Sequence, residues 1–276
     1  MEIRFAQSKK ETAQMNTEEL RENFLVQDLM TPNKINLTYT HYDRVIIGGV
    51  VPVDTIIDLP NHPELRAEYF LERRELGIIN LGGKGSVEVD GISYNLDKAD
   101  CLYAGKGSKI VRFSSADAKQ PALFYLLSAP AHHSYPVQTM KKDAAAPVQL
   151  GAVETSNKRT VYKYIHLDGI QSCQLVMGLT ALEPGSVWNS IPPHTHTRRM
   201  EVYFYFDLPE EQRIFHFMGE PQQTRHIVVK NNEAIISPPW SAHFGCGTSN
   251  YGFIWGMAGE NLVYTDMDPA PVIELK

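Results

Sequence analysis

Short apolar runs, broken every few residues by turn-forming pairs, constrain this 276-residue chain more than any other feature. Val87-Glu88-Val89, then Asp90-Gly91, then Ile92-Ser93-Tyr94 predicts a hairpin, because Asp-Gly tolerates the positive φ angles of a type I′ turn. Ile227-Val228-Val229, Asn231-Asn232 and Ala234-Ile235-Ile236 predict a second one. The runs Glu201-Val202-Tyr203-Phe204-Tyr205-Phe206 and Ile214-Phe215-His216-Phe217-Met218 have the aromatic and β-branched content of strands. Near the N-terminus only 17–26 (TEELRENFLV) reads as a helix, with Asn16 or Thr17 as its cap and acids in its first turn. Strands of this length and spacing predict an all-β chain of sandwiches or small barrels, with a few short helices.

The length exceeds one average domain. Between Ala129 and Lys158 the pattern changes to Pro130, Pro136, Pro147, the pair Lys141-Lys142 and the alanine run 144–146, which reads as a connection. A faint repeat flanks it. Glu72-Arg73-Arg74-Glu75 resembles Arg198-Arg199-Met200-Glu201, and Leu102 to Gly107 takes the place of Ile236 to Ser241. Two copies of one β unit are therefore expected, at 1–140 and 141–276.

Composition narrows the functional classes. Hydrophobic residues at 43%, charged residues at 21% and a net charge of -6 describe an ordinary globular protein with no reason to seek nucleic acid or an anionic membrane. The longest apolar run, Val45 to Val53, is about half a bilayer span. The first ten residues carry no apolar signal-peptide core. The three cysteines, Cys101, Cys173 and Cys246, are too scattered for a disulfide framework or a thiolate metal site. A cytoplasmic protein is expected.

The segment Pro192-Pro193-His194-Thr195-His196-Thr197-Arg198-Arg199-Met200-Glu201 carries the chemistry. His-x-His on a strand places both imidazoles on one face. A turn through Thr197-Arg198-Arg199 lets the next strand present Glu201 beside them, and the turn-rich run Pro238 to His243 supplies a third imidazole. His194, His196, Glu201 and His243 are thus the candidate ligands of one divalent ion, with positions left for water or substrate. The remaining histidines have no such context and read as surface or hydrogen-bonded structural groups.

Gly185 followed by His194-x-His196-x4-Glu201, then Pro238-x-x-x-x-His243, resembles the paired motifs of the cupin superfamily, which implies two jelly-roll-like cupin barrels, a bicupin. Against that pattern, the interval before His194 is long and Trp240 replaces a usual glycine; both changes affect loops rather than ligands. Aligning Glu75 with Glu201 puts Glu68 and Phe70 at the histidine positions and Lys109 near that of His243. A cation there would repel a metal, so one ion per chain is expected, with the N-terminal unit a packing or oligomerisation partner.

The stretches 70–83, 194–206, 224–243 and 253–261 resemble the 4-deoxy-L-threo-5-hexosulose-uronate ketol-isomerases, and HTHTRRMEVYFYF is the most specific of them. The resemblance runs from Asn23-Phe24-Leu25-Val26 to Asp266-Met267-Asp268. It implies an aldose-ketose isomerase of uronate degradation, zinc as the metal, a keto-deoxyuronate as the small-molecule substrate, and a homo-oligomer, a hexamer in this family. Moving a carbonyl from C1 to C2 needs a base for the C2 proton and stabilisation of an ene-diolate, which a divalent ion supplies. Glu201 is the candidate base. Tyr203, two residues on and on the same face, is either a hydrogen-bonding catalytic partner or aromatic core. A substrate carboxylate favours an arginine clamp, and Arg198, Arg199 and Arg225 lie close in sequence to the ligand segments. Each arginine also suits a structural ion pair. Trp188 and Asn189 either line the mouth or form a plain loop. A cupin oxygenase and a non-catalytic uronate-binding cupin are the competing readings.

Overall fold

In the computed structural model, which describes residues 1–276, strands Gly85–Val89 and Ile92–Leu96 form the expected hairpin. Its turn residues Asp90 and Gly91 have φ of 49° and 85°, the paired positive values that the Asp-Gly dipeptide permits. The second predicted hairpin does not form. Gln223–Val229 pairs instead with Ile214–Glu220, while Ala234–Ser237 crosses to another sheet and pairs with Arg199–Phe206. Asn232, at φ 62°, turns the chain, and Glu233 ties the crossover by accepting from the Lys230 amide. Strand propensity alone could not distinguish a hairpin from a sheet-to-sheet crossover.

The strands make two seven-stranded and two four-stranded sheets, plus one short two-stranded ribbon. One seven-stranded sheet and one four-stranded sheet come from residues up to Met140; the other two start at Val148, with a single exception. Leu25–Val26 leaves the first part of the chain and pairs with Ala234–Ser237. Helix Thr17–Phe24, capped by Asn16 and Glu19 in a reciprocal box, carries it there. A further helix, Lys9–Gln14, was missed by periodicity because it is so short, although Ser8 and Glu11 form a capping box that marks it. The segment expected as a bare connection pairs at both ends: Gln138–Met140 with Cys101–Ala104, and Val148–Leu150 with Arg159–Ile165.

Alternation along the strands separates two faces. Leu76 and Ile78 point into an apolar cluster with Val87, Val89 and Phe113, between the first seven-stranded sheet and its four-stranded neighbour. Ile79, Tyr125 and Leu127 point the other way, into a larger cluster shared with Met177, Val202 and Phe204 of the second seven-stranded sheet. The rings of Tyr125 and Phe204 lie 4.7 Å apart there. At Gly77 the seam is close-packed: an added Cβ would come within 2.6 Å of the Met177 sulfur and displace that side chain.

Glu75 lies on that same seam face, and this corrects the repeat alignment. Glu201 points inward with Tyr203 and Tyr205, toward its own four-stranded sheet, where the Tyr205 hydroxyl bonds His216. Period-two alternation means that Glu75 and Glu201 cannot be counterparts. The inward position of the first unit is apolar, filled by Leu76. Glu75 instead accepts from the Tyr103 hydroxyl at 2.8 Å and from the backbone amides of Cys173, Gln174 and Leu175 at 2.7, 2.8 and 3.0 Å.

Candidate metal centre

Three places in the chain converge on one point. His194–Thr195 pairs with Asp268–Pro269 in the two-stranded ribbon. The backbone then turns, with the His196 amide held by Pro239 O at 3.1 Å, into Arg199–Phe206, which presents Glu201. His243 stands at the end of the Pro238–Ser241 turn, just before strand Phe244–Gly247. The four ligand atoms lie within 4.8 Å of one another. Glu201 Oε2 is 2.9 Å from both His196 Nε2 and His243 Nε2, and His243 Nε2 is 3.1 Å from His194 Nε2.

The surroundings orient these rings. His196 Nδ1 meets Asp266 O at 2.7 Å, and His243 Nδ1 meets Ser241 O and Ser237 Oγ, each at 3.1 Å. With Nδ1 donating to a carbonyl, a neutral ring turns its Nε2 lone pair inward, as metal-bound histidines do. Inward lone pairs beside a carboxylate repel unless a cation stands among them. Burial and the neighbouring His243 push the His194 pKa down to about 2, so this ring is neutral and ready to ligate. Burial opposes ionisation of Glu201; positive charge and hydrogen bonds from the His243 and His196 rings outweigh it and hold the carboxyl well below its usual range, and a cation among neutral rings would act in the same sense. Nitrogen and oxygen donors in this arrangement fit a first-row divalent ion.

Glu201, His194 and Tyr203 form part of the wall of a cavity of about 300 Å³. Glu201 spends Oε2 on the two histidines, and no protein hydrogen bond reaches Oε1. The Tyr203 hydroxyl pairs with Ser190 Oγ at 2.6 Å. Burial, reinforced by Glu201, raises its pKa well above the phenol value, so Tyr203 stays protonated and acts as a hydrogen-bond partner rather than a base.

The arginines suggested as a carboxylate clamp are placed elsewhere. Arg199 is fully buried and donates to the carbonyls of Val263, Tyr264 and Asp266. Arg198 forks onto the carboxylates of Asp266 and Asp268. Arg225 donates to Thr12, Ala13 and Met15 carbonyls. Trp188 stacks on Phe217 at 6.1 Å, and none of these four residues lines the cavity. Arg198 and Arg199 instead pin the segment 261–268 over the ligands. Asp266 O accepts from Arg199 and from the His196 ring alike, so Arg199 holds the atom that aims a ligand. We expect Arg199→Lys to lower metal affinity about ten- to a hundredfold, as outer-sphere partners of ligating histidines do. Metal titration of the purified variant checks this, and wild-type affinity would remove Arg199 from that role.

The arginine that does line the cavity is Arg159, at the start of Arg159–Ile165. It was not anticipated. The only sequence signal, Arg159 and Val161 sharing one strand face, is common to most strands.

The sequence model of the KduI/IolB family matches residues 24–272. The chain belongs to the KduI/IolB family. It is 54% identical over 276 residues to the 4-deoxy-L-threo-5-hexosulose-uronate ketol-isomerase of Shouchella clausii, covering 100% of both chains. To the protein of that name from Formosa agariphila it is 56% identical over 275 residues, covering 100% of this chain and 98% of the relative. Among solved structures, an IolB-like protein of Salmonella typhimurium superposes with a TM-score of 0.72 at 15% identity, covering 88% of this chain and 95% of the other. That likeness shows the same all-β, cupin-like fold. No helix of the structure is long and apolar enough to cross a membrane.

Proposed function

We propose that the chain is a ketol-isomerase converting 5-dehydro-4-deoxy-D-glucuronate into 3-deoxy-D-glycero-2,5-hexodiulosonate, with one metal ion held by His194, His196, Glu201 and His243. The observation that carries this reading is the position of that cluster in the wall of a cavity, with Glu201 Oε1 left without a protein partner. The relatives that match end to end bear the name of this activity. The zinc assignment and a hexameric assembly rest on the resemblance alone.

A divalent ion held by His194, His196, Glu201 and His243 would supply Lewis-acid stabilisation of the charge that develops as the C2 proton leaves. The chain's own groups do the rest. Glu201, ionised and facing the cavity, takes the proton from C2 and returns it to C1. Tyr203, a neutral phenol backed by Ser190, donates a hydrogen bond to a substrate oxygen and steadies the proton exchanged between the two oxygens. Phe253, Trp255 and Met257 give the cavity an apolar wall that keeps water from competing.

The metal-loaded protein is expected to interconvert the keto-uronate isomers anaerobically and to incorporate solvent deuterium at C1 or C2. Oxygen uptake in place of isomerisation, or binding without turnover, would sink this reading. Tyr203→Phe is expected to lower kcat about ten- to a hundredfold while leaving metal content unchanged. An unchanged kcat would reduce Tyr203 to a packing residue stacked on Phe253, 4.9 Å away.

A further inference from the structure

Every other arginine near the metal centre is occupied: Arg199 and Arg225 by backbone carbonyls, Arg198 by two carboxylates. Arg159 is not. Its guanidinium makes a single hydrogen bond, from NH1 to Asn157 O at 2.8 Å, and has no carboxylate partner. It lies half-buried in the cavity wall beside Leu150, Val161 and Thr180. A guanidinium has five N–H donors in a rigid fork, and removing it from water without a counter-charge is costly. Burial accordingly lowers its pKa.

The position relative to the metal centre is specific. Arg159, Tyr203, Tyr264, His194 and Glu201 all line this one cavity, so a molecule held by the guanidinium shares its space with the two phenols and the ligand cluster. The rest of the wall is mostly apolar, and Arg159 is the only arginine or lysine in it. We propose that Arg159 is the carboxylate receptor of this cavity, fixing an acidic sugar by its C6 carboxylate so that the opposite, carbonyl-bearing end meets Glu201. The inference rests on the isomerase reading for the identity of the substrate, but the anion preference follows from the cavity alone. It excludes neutral sugars by leaving the guanidinium unpaired, a stronger discrimination than shape affords.

The test compares D-glucuronate with its uncharged methyl ester by calorimetry on the metal-loaded wild type, Arg159→Met and Arg159→Lys. The wild type is expected to bind the anion at least about tenfold more tightly than the ester. Arg159→Met is expected to abolish that preference with metal content unchanged, and Arg159→Lys to keep part of it, since an ammonium retains charge without the fork. On the keto-uronate substrate, Arg159→Met is expected to raise KM more than it lowers kcat. A wild type without anion preference, or an Arg159→Met protein that keeps it, overturns the proposal. If Arg159→Met fails to fold, an Arg159→Lys protein that discriminates as well as wild type and keeps its KM overturns it equally. If the wild type discriminates and Arg159→Met does not, yet no isomerisation occurs, the receptor stands and the reaction assignment falls.

Discussion

Replacing His196 by alanine is expected to empty the metal centre and to cut isomerase activity by at least about a thousandfold. His196 is one of the four candidate ligands, and its ring is the link through which Asp266 O and Arg199 would act on the site. Its loss removes an Nε2 donor 2.9 Å from Glu201 Oε2 and frees that carboxylate to move. The expected effect equals several kcal/mol of transition-state stabilisation, the scale of a Lewis-acid contribution. Elemental analysis and the uronate assay on the same preparation decide it. Chelation of the wild type should reproduce the loss, and readdition of the metal should reverse it. Full activity in a metal-free His196→Ala protein would end the metal-centred mechanism.

The second large effect lies far from the chemistry. Glu75→Ala is expected to destabilise the protein by roughly 3–5 kcal/mol, because a fully buried carboxylate with four donors cannot be removed without stranding them. Three of those donors are consecutive amides of the later half of the chain, so Glu75 ties that segment to the first seven-stranded sheet. Glu75→Gln keeps the shape but turns an amide NH2 toward N–H groups, and should fall between alanine and wild type. Denaturant unfolding measures both. A loss below about 1 kcal/mol for Glu75→Ala would show that the surrounding apolar seam holds the two sheets together without it.

The two residues show where a linear pattern is informative and where it fails. The Asp90-Gly91 hairpin was legible because a two-residue turn with paired positive φ is local. The histidines and Glu201 were legible for a similar reason: His-x-His and a carboxylate after a short turn already confine their directions. Glu75 was misplaced because an alignment by similar letters can slip one position, and one position in a strand is the opposite face. The crossover at Asn232 was misread because strand propensity does not say which partner a strand will choose.

Taken by itself, the amino-acid sequence determined the all-β class, the four candidate ligands and, through the resemblance it carries, the family. Those properties depend on period-two alternation, turn chemistry and donor type, which act over a few residues. Only the tertiary structure decided which charges are spent and which are free. Arg198 and Arg199 sit beside the ligands in sequence yet bond the returning segment 261–268, while Arg159, from a strand much earlier in the chain, reaches the cavity with one hydrogen bond made. Whether a guanidinium meets a carbonyl, a carboxylate or an open cavity depends on contacts between distant segments, and no local pattern encodes them.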